Sequence, residues 1–189
     1  FPQHWKHAFA IEHETERGLR RTLQVFDAAG DAVHKVFLRG DSNHNAWSSV
    51  VNSLAVEGND SLDVVTRTPT EAPKENNGKR DVLLAEWAKM TDTHQFMRLT
   101  SKLGTNRLGA YRMVSGESWV RPLETHAPSK LFEAIAKTKQ EVILFVGNRG
   151  MIQIHWGTLE NIKPMGPWLN VLDDRFDLHL REDHIAEVY

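Results

Sequence analysis

"LRRTLQVFDAAGDAVHKVFLRG" (residues 19–40) holds two runs rich in β-branched and aromatic residues around the break "AAGD" at 28–31. A glycine-containing break between two such runs is the signature of an antiparallel hairpin, so residues 8–38 read as β. The period then changes. In "DSNHNAWSSVVNSLAV" (41–56) Trp47, Val50, Val51 and Leu54 recur at helical spacing, with Asp41 or Ser42 placed to cap the helix.

The far end of the chain repeats the β signal. "EVILFVGNRGMIQIHWG" (141–157) is an apolar run, a Gly-Asn-Arg-Gly turn, and an alternation through Ile152, Ile154 and Trp156. "WLNVLDDRFDLHLRED" (168–183) adds two strands about Asp173 and Asp174, and "IAEVY" (185–189) reads as an unfinished strand. Helices are predicted from about 81 to 113 and again over 129–138. Hairpins interspersed with helices define an α+β class, with antiparallel sheets and packed helices. Residues 57–80 carry two prolines and few large apolar groups, the composition of a linker.

Bulk properties narrow the function classes. The 189 residues are 40% hydrophobic and 25% charged, enough to bury a core without staples. With no cysteine, disulfides and thiolate metal sites are excluded, and a reducing compartment is the natural expectation. Net charge is −2 with both signs interspersed, which argues against nucleic acid as a partner. No apolar run approaches the roughly 18 residues that span a bilayer, so membrane insertion is not expected. Signal-peptide, G-x-S-x-G, P-loop, G-x-G-x-x-G and HExxH patterns do not occur. His4, His7 and His13 have no regular spacing with acidic partners, and His34, His155 and His179 sit within predicted strands, so zinc is set aside.

One histidine stands apart. In "MTDTHQFMRLTSKLG" (90–104) Asp92 is a candidate N-cap, Gln95 lies three residues on, and Gly104 closes the helix. Phe96, Leu99 and Leu103 make the core stripe, and His94 lies about 200° from Phe96 at 100° per residue, pointing away from that stripe. An imidazole on the positive end of a helix dipole favours the neutral form, whose lone pair can bind a metal or the iron of haem. The bland alternative is a solvated surface histidine. Arg107, after "KLGTN", could pair with a carboxylate in bidentate fashion, or be solvated; Arg98, one turn beyond His94, has the same two readings.

"WAKMTDTHQF", "ILFVGNRGMIQIHWG", "MGPWLNVLDDRFDLHLREDHIAE" and "FDAAGDAVHKVFLR" together resemble the HemS/ChuS family, the cytoplasmic haem-binding, haemin-degrading factors of Gram-negative haem uptake. The resemblance implies a structural repeat, each half a sheet with packed helices, and haem as the cofactor. It makes His94 the axial iron ligand, puts Arg107 in the haem pocket, and adds Phe1 and Phe145 to the haem-binding set. It implies a cytoplasmic carrier that sequesters and delivers haem, with a haem oxygenase or a haem-uptake permease component as partner. An enzyme that degrades the same bound haem is the alternative, and a non-haem assembly module a third.

Against the family pattern, a distal arginine would precede Phe1 and further pocket residues would follow Tyr189. The chain therefore reads as a fragment: 1–56 the C-terminal part of a first repeat, 57–80 the linker, 81–189 the N-terminal part of a second. "HWKHAF" (4–9) and "HIAEVY" (184–189) fall at one phase of that repeat. A strand left open near Tyr189 would then be closed by the 8–38 hairpin of the same chain or of a homodimer partner.

Overall fold

The computed structural model describes residues 1–57 and 62–189, so part of the expected linker, residues 58–61, lies outside the described residues. The fold is α+β. Contacts divide the chain into two compact units, Phe1–Pro69 with Ile143–His155, and Thr70–Val142 with Trp156–Tyr189.

In the first unit β1 (His7–Thr15), β2 (Gly18–Phe26) and β3 (Ala32–Phe37) form an antiparallel sheet in that order. Side chains fix both turns. Thr15 Oγ1 donates to the Gly18 carbonyl at 2.7 Å and accepts from the Arg17 N–H, while Gly18 takes φ +101°. That positive φ costs glycine little. The Asp27 carboxylate accepts from the N–H groups of Ala29 and Asp31, and a register shift at Val25/Phe26 precedes it. Helix α1 (Trp47–Leu54) follows a 3-10 turn capped by Asn43, whose side chain accepts from the Ala46 N–H. The expected caps, Asp41 and Ser42, do not serve: Ser42 Oγ is already engaged by the Arg39 N–H at 2.9 Å. Trp47 is buried, with the Arg21 guanidinium over its ring.

Strands β4 (Val142–Gly147) and β5 (Ile152–Gly157) form a hairpin. Its turn is built by Asn148, whose Oδ1 accepts from the N–H groups of Gly150 and Met151, and whose Nδ2 donates to the Val33 carbonyl at 2.8 Å. Trp5 Nε1 donates to the Gly150 carbonyl. Among the described strand pairs, 8–38 closes no sheet with 141–189. Turn side chains make the contact instead, and the Val33 carbonyl that a ladder would use is taken by Asn148. Within the chain itself, the closure expected from the sequence is thus replaced by a hydrogen-bonded turn.

The second unit contains α2 (Arg80–Ala88), α3 (Gln95–Leu103), α4 (Arg107–Met113) and α5 (Ala127–Thr138), then β6 (Ile162–Met165), β7 (Trp168–Asp173) and β8 (Phe176–Arg181). Leu83, Phe96, Leu99, Leu103, Ala110, Met113, Val114 and Val120 form its helical core. Asn106 organises the start of α4: its Oδ1 accepts from the N–H groups of Gly109 and Lys74, and its Nδ2 donates to the Ala72 carbonyl. Asn76 Nδ2 donates to the Leu103 carbonyl at 2.9 Å, so residues 72–76 are held against α3 and α4.

Strands β6, β7 and β8 pair antiparallel in sequence order. Sequence periodicity passes over β6 because it is four residues long and contains Pro164, which a strand tolerates at an edge. His179 Nδ1 lies 2.6 Å from Asn170 Oδ1, a half-buried structural role. The "IAEVY" end makes a single bridge, Val188 to Leu123, and no strand.

Gly109 marks the tightest approach in this unit, since a Cβ there would lie 1.8 Å from the Lys74 carbonyl oxygen. In an exposed helix Gly→Ala stabilises by about 1 kcal/mol. Gly109→Ala should reverse that sign and cost roughly 1–3 kcal/mol, as overpacking does. Urea unfolding measures it, and a variant more stable than the parent would refute the contact.

Candidate functional site

The approach to α3 is a turn. Gln95 N–H donates to the Asp92 carbonyl and Phe96 N–H to the Thr93 carbonyl. This shifts the expected cap. His94 occupies the position before the first helical residue, and the Gln95 side chain reaches back to Thr91, its Oε1 accepting the Thr91 N–H at 3.0 Å. Asp92 caps the turn, not the helix. Its Oδ1 accepts the His94 backbone N–H at 2.7 Å and lies 2.7 Å from His94 Nδ1. These contacts hold the Asp92 carboxyl below its ordinary range, the backbone hydrogen bond contributing most.

The amphipathic pattern decides where the imidazole goes. Phe96, Leu99 and Leu103 are buried, as their spacing requires, and the His94 side chain is 88% exposed. Gly104, at φ +68°, ends α3 in the left-handed conformation that glycine adopts readily. The short connection then starts α4 with Arg107. Its guanidinium meets α3: Nη2 donates to Met97 Sδ at 3.5 Å. Met97 is three residues beyond His94, one turn along the same face. His94 and Arg107 are therefore brought to one side of the helical unit, with the exposed thioether of Met97 between them. Arg98 faces the neighbouring hollow, about 250 Å³, which is also lined by Glu86, Lys89, Met90, Gln95 and Lys102.

Rings hold α3 to its neighbours, and an ion pair ties α4 to the C-terminal segment. Phe96 packs on Trp87 at 4.7 Å and stacks on Tyr111 at 5.6 Å, and Tyr111 meets Tyr189 at 5.7 Å. Arg112, on the last turn of α4, pairs with Glu187, to which the Tyr189 hydroxyl also donates at 2.6 Å. Held by Arg112 first and Tyr189 second, the Glu187 carboxyl falls to about 2. The same carboxylate pushes the Tyr189 phenol up.

The two remaining candidates lie in the first unit. The Phe1 nitrogen donates to the Gly150 carbonyl at 2.9 Å, and Phe145 stands 65% exposed on β4. Ile143, Ile152 and Ile154 are exposed on the same hairpin, leaving apolar surface on both strands. Sequence reasoning passed over Met97, although its i+3 relation to His94 marks it. It also passed over the Arg112–Glu187 pair, whose 75-residue separation leaves no local signal.

Among the described residues no group of three or more His, Asp or Glu side chains could hold a metal ion. One exposed imidazole beside an arginine and a thioether suits iron that brings its own equatorial ligands and carries carboxylates. No helix among the described residues is long and apolar enough to cross a membrane.

An α+β unit that displays an exposed histidine, backed by a carboxylate, at the start of α3 is the class this site defines. The family model of the haemin-degrading HemS/ChuX domain matches residues 1–54 and 104–189, and the chain belongs to that family. His94 falls between the matched stretches, in a region that the pairwise similarities cover. The hemin transport proteins HmuS of Yersinia pestis and HemS of Yersinia enterocolitica are each 34% identical over 189 residues, 99% of this chain. The chain spans 54% of their length. The heme-bound structure of PhuS, a heme-binding protein from Pseudomonas aeruginosa, is 39% identical with a TM-score of 0.88, over 97% of this chain and 53% of that one. ChuS, described as an E. coli heme oxygenase, is 33% identical with a TM-score of 0.80, over 98% and 54%.

The depressed Glu187 carboxyl has a pH consequence. A carboxyl whose folded value lies below its unfolded one stabilises the fold above the unfolded value, and that stability is lost as pH falls. For Glu187 the window runs from about pH 4.5 down to about pH 2. Glu187→Gln should lower the thermal midpoint at neutral pH, and the difference from the parent should shrink through that window. A difference that stays constant from pH 7 to pH 2 would show that the pair contributes nothing.

Proposed function

We propose that this chain binds haem, with His94 as the axial ligand to the iron, in a protein that sequesters and delivers haem during bacterial haem uptake. The observation that carries the proposal is the placement of His94: nearly fully exposed at the start of a helix whose other face is locked into the core, with Arg107 beside it through Met97. Family membership and the heme-binding description of PhuS support it. The group would supply a redox-active iron and two propionates. His94 would hold the iron through a ring nitrogen, and Arg107 would pair with a propionate in a charge-assisted contact. Met97 presents apolar surface between them. The family resemblance adds Phe1 and Phe145, of the first unit, as further candidates for haem binding. The compartment that fits a cysteine-free carrier is the cytoplasm, where a haem oxygenase or an uptake permease component would be its partner.

A second reading, oxidative degradation of the same bound haem, is favoured by the similarity to ChuS, described as a heme-degrading enzyme and a heme oxygenase. Product analysis with an enzymatic electron donor and catalase present separates it from carriage. Ring-opened product under those conditions supports degradation, and intact haem supports carriage.

Titration of the chain with haemin, followed by absorbance, tests the proposal itself. A saturable Soret shift is expected, and its absence would favour an assembly role without haem. His94→Ala should abolish that shift or change its spectrum while far-ultraviolet circular dichroism stays that of the parent. An unchanged spectrum and affinity would remove His94 as ligand. Arg107→Ala should keep the coordination spectrum and weaken binding by about 1.5–3 kcal/mol where the contact is shielded, less where it is wet. A changed axial-ligand spectrum would place Arg107 at the iron instead.

A further inference from the structure

Asp92 makes two contacts with one residue, and they do different work. Its Oδ1 accepts the His94 backbone N–H and lies 2.7 Å from His94 Nδ1. A carboxylate can only accept hydrogen bonds, so the ring nitrogen facing it must carry the proton. In a neutral imidazole the other nitrogen then carries the lone pair. Because the backbone contact fixes the carboxylate relative to the His94 main chain, the ring is held as well as protonated on a chosen atom. Arg98, one helical turn further on, is the charged group that reaches Asp92 from α3.

We propose that Asp92 is a positioning residue that holds the His94 ring with its proton on Nδ1 and its lone pair on Nε2, on the side away from the carboxylate. The proposal rests on the haem-binding reading for its purpose, but its content is a property of the chain alone. A carboxylate behind a ligating imidazole fixes the tautomer and raises the basicity of the donor nitrogen. Free neutral imidazole prefers the opposite tautomer, with the proton on Nε2, which cannot ligate through that nitrogen. Asp92 thus prepares the donor before any ligand arrives.

The rival explanation is that Asp92 only caps the turn. Two variants separate them. Asp92→Ser keeps an oxygen that can accept the His94 backbone N–H, but its side chain is too short to reach the ring as well. Asp92→Asn keeps an acceptor for both contacts without the charge.

The test is the nitrogen-15 spectrum of the His94 ring in the ligand-free 189-residue chain at alkaline pH, where imidazole is neutral, assigned with His94→Gln. The parent should show the Nδ1–H tautomer in majority. Asp92→Ser should revert to the Nε2–H majority with an unchanged thermal midpoint, and Asp92→Asn should fall between them. An Nε2–H majority in the parent, or an Asp92→Ser spectrum identical to it, overturns the proposal. With haemin added, Asp92→Ser should bind about 10–100-fold more weakly, with a lowered iron–histidine stretching frequency in the ferrous state. An Nδ1–H parent that shows no Soret shift would uphold the positioning while overturning the haem reading. Equal affinity and equal stretching frequency in parent and Asp92→Ser would overturn the claim that Asp92 tunes the ligand.

Discussion

The candidate site depends on the burial of one helical stripe. Phe96, Leu99 and Leu103 leave α3 only one way to face, because removing that apolar area from water outweighs any preference of its polar side. Once the stripe is down, the opposite face is fixed in rotation, and His94, Met97 and Arg98 go to the surface. The aromatic contacts of Phe96 with Trp87 and Tyr111 then set the distance between α3 and its neighbours. The backbone of a side chain presented from such an element keeps its direction, and local contacts are left to orient the ring.

Polar contacts at or near the surface act on a smaller scale, and they act locally. Asp92 aims one ring, Asn106 starts one helix and Asn148 shapes one turn. None contributes much stability, since surface hydrogen bonds and ion pairs are offset by water. Their value is directional. Each converts a permissive stretch of backbone into a single conformation at a point where a chemical group or a neighbouring segment must be met.

The family relationship and the geometry support different parts of the functional reading. Similarity to HmuS, HemS, PhuS and ChuS concerns proteins nearly twice as long, and it brings haem into view as a ligand. The geometry supplies the arrangement on which the proposal rests: an exposed histidine with a carboxylate behind it, and an arginine that reaches Met97 one turn along the same face. The exposed apolar residues of the β4–β5 hairpin, Phe145 among them, belong to the first unit.

Local pattern was enough to locate most elements and the exposed position of His94 at the start of α3. The hairpin about residues 28–31, the helix ending at Gly104 and the outward direction of His94 all follow from periodicities of two and 3.6. The resemblance to the HemS/ChuS family added Arg107 as a candidate, and the family model and the fold bear out the family itself. What sequence could not provide was everything decided by competition between distant groups. Ser42 and Asp92 each looked like helix caps, but Ser42 closes an earlier turn and Asp92 is drawn to the ring and N–H of His94. The strand expected over residues 185–189 became a single bridge, with Glu187 and Tyr189 held by Arg112 and Tyr111. The open sheet edge was expected to pair with the hairpin at 8–38, yet the Val33 carbonyl went to a side chain 115 residues away. Periodicity is a property of neighbours along the chain and is legible there. Which of several acceptors wins a given donor is settled only when tertiary packing brings them to the same place.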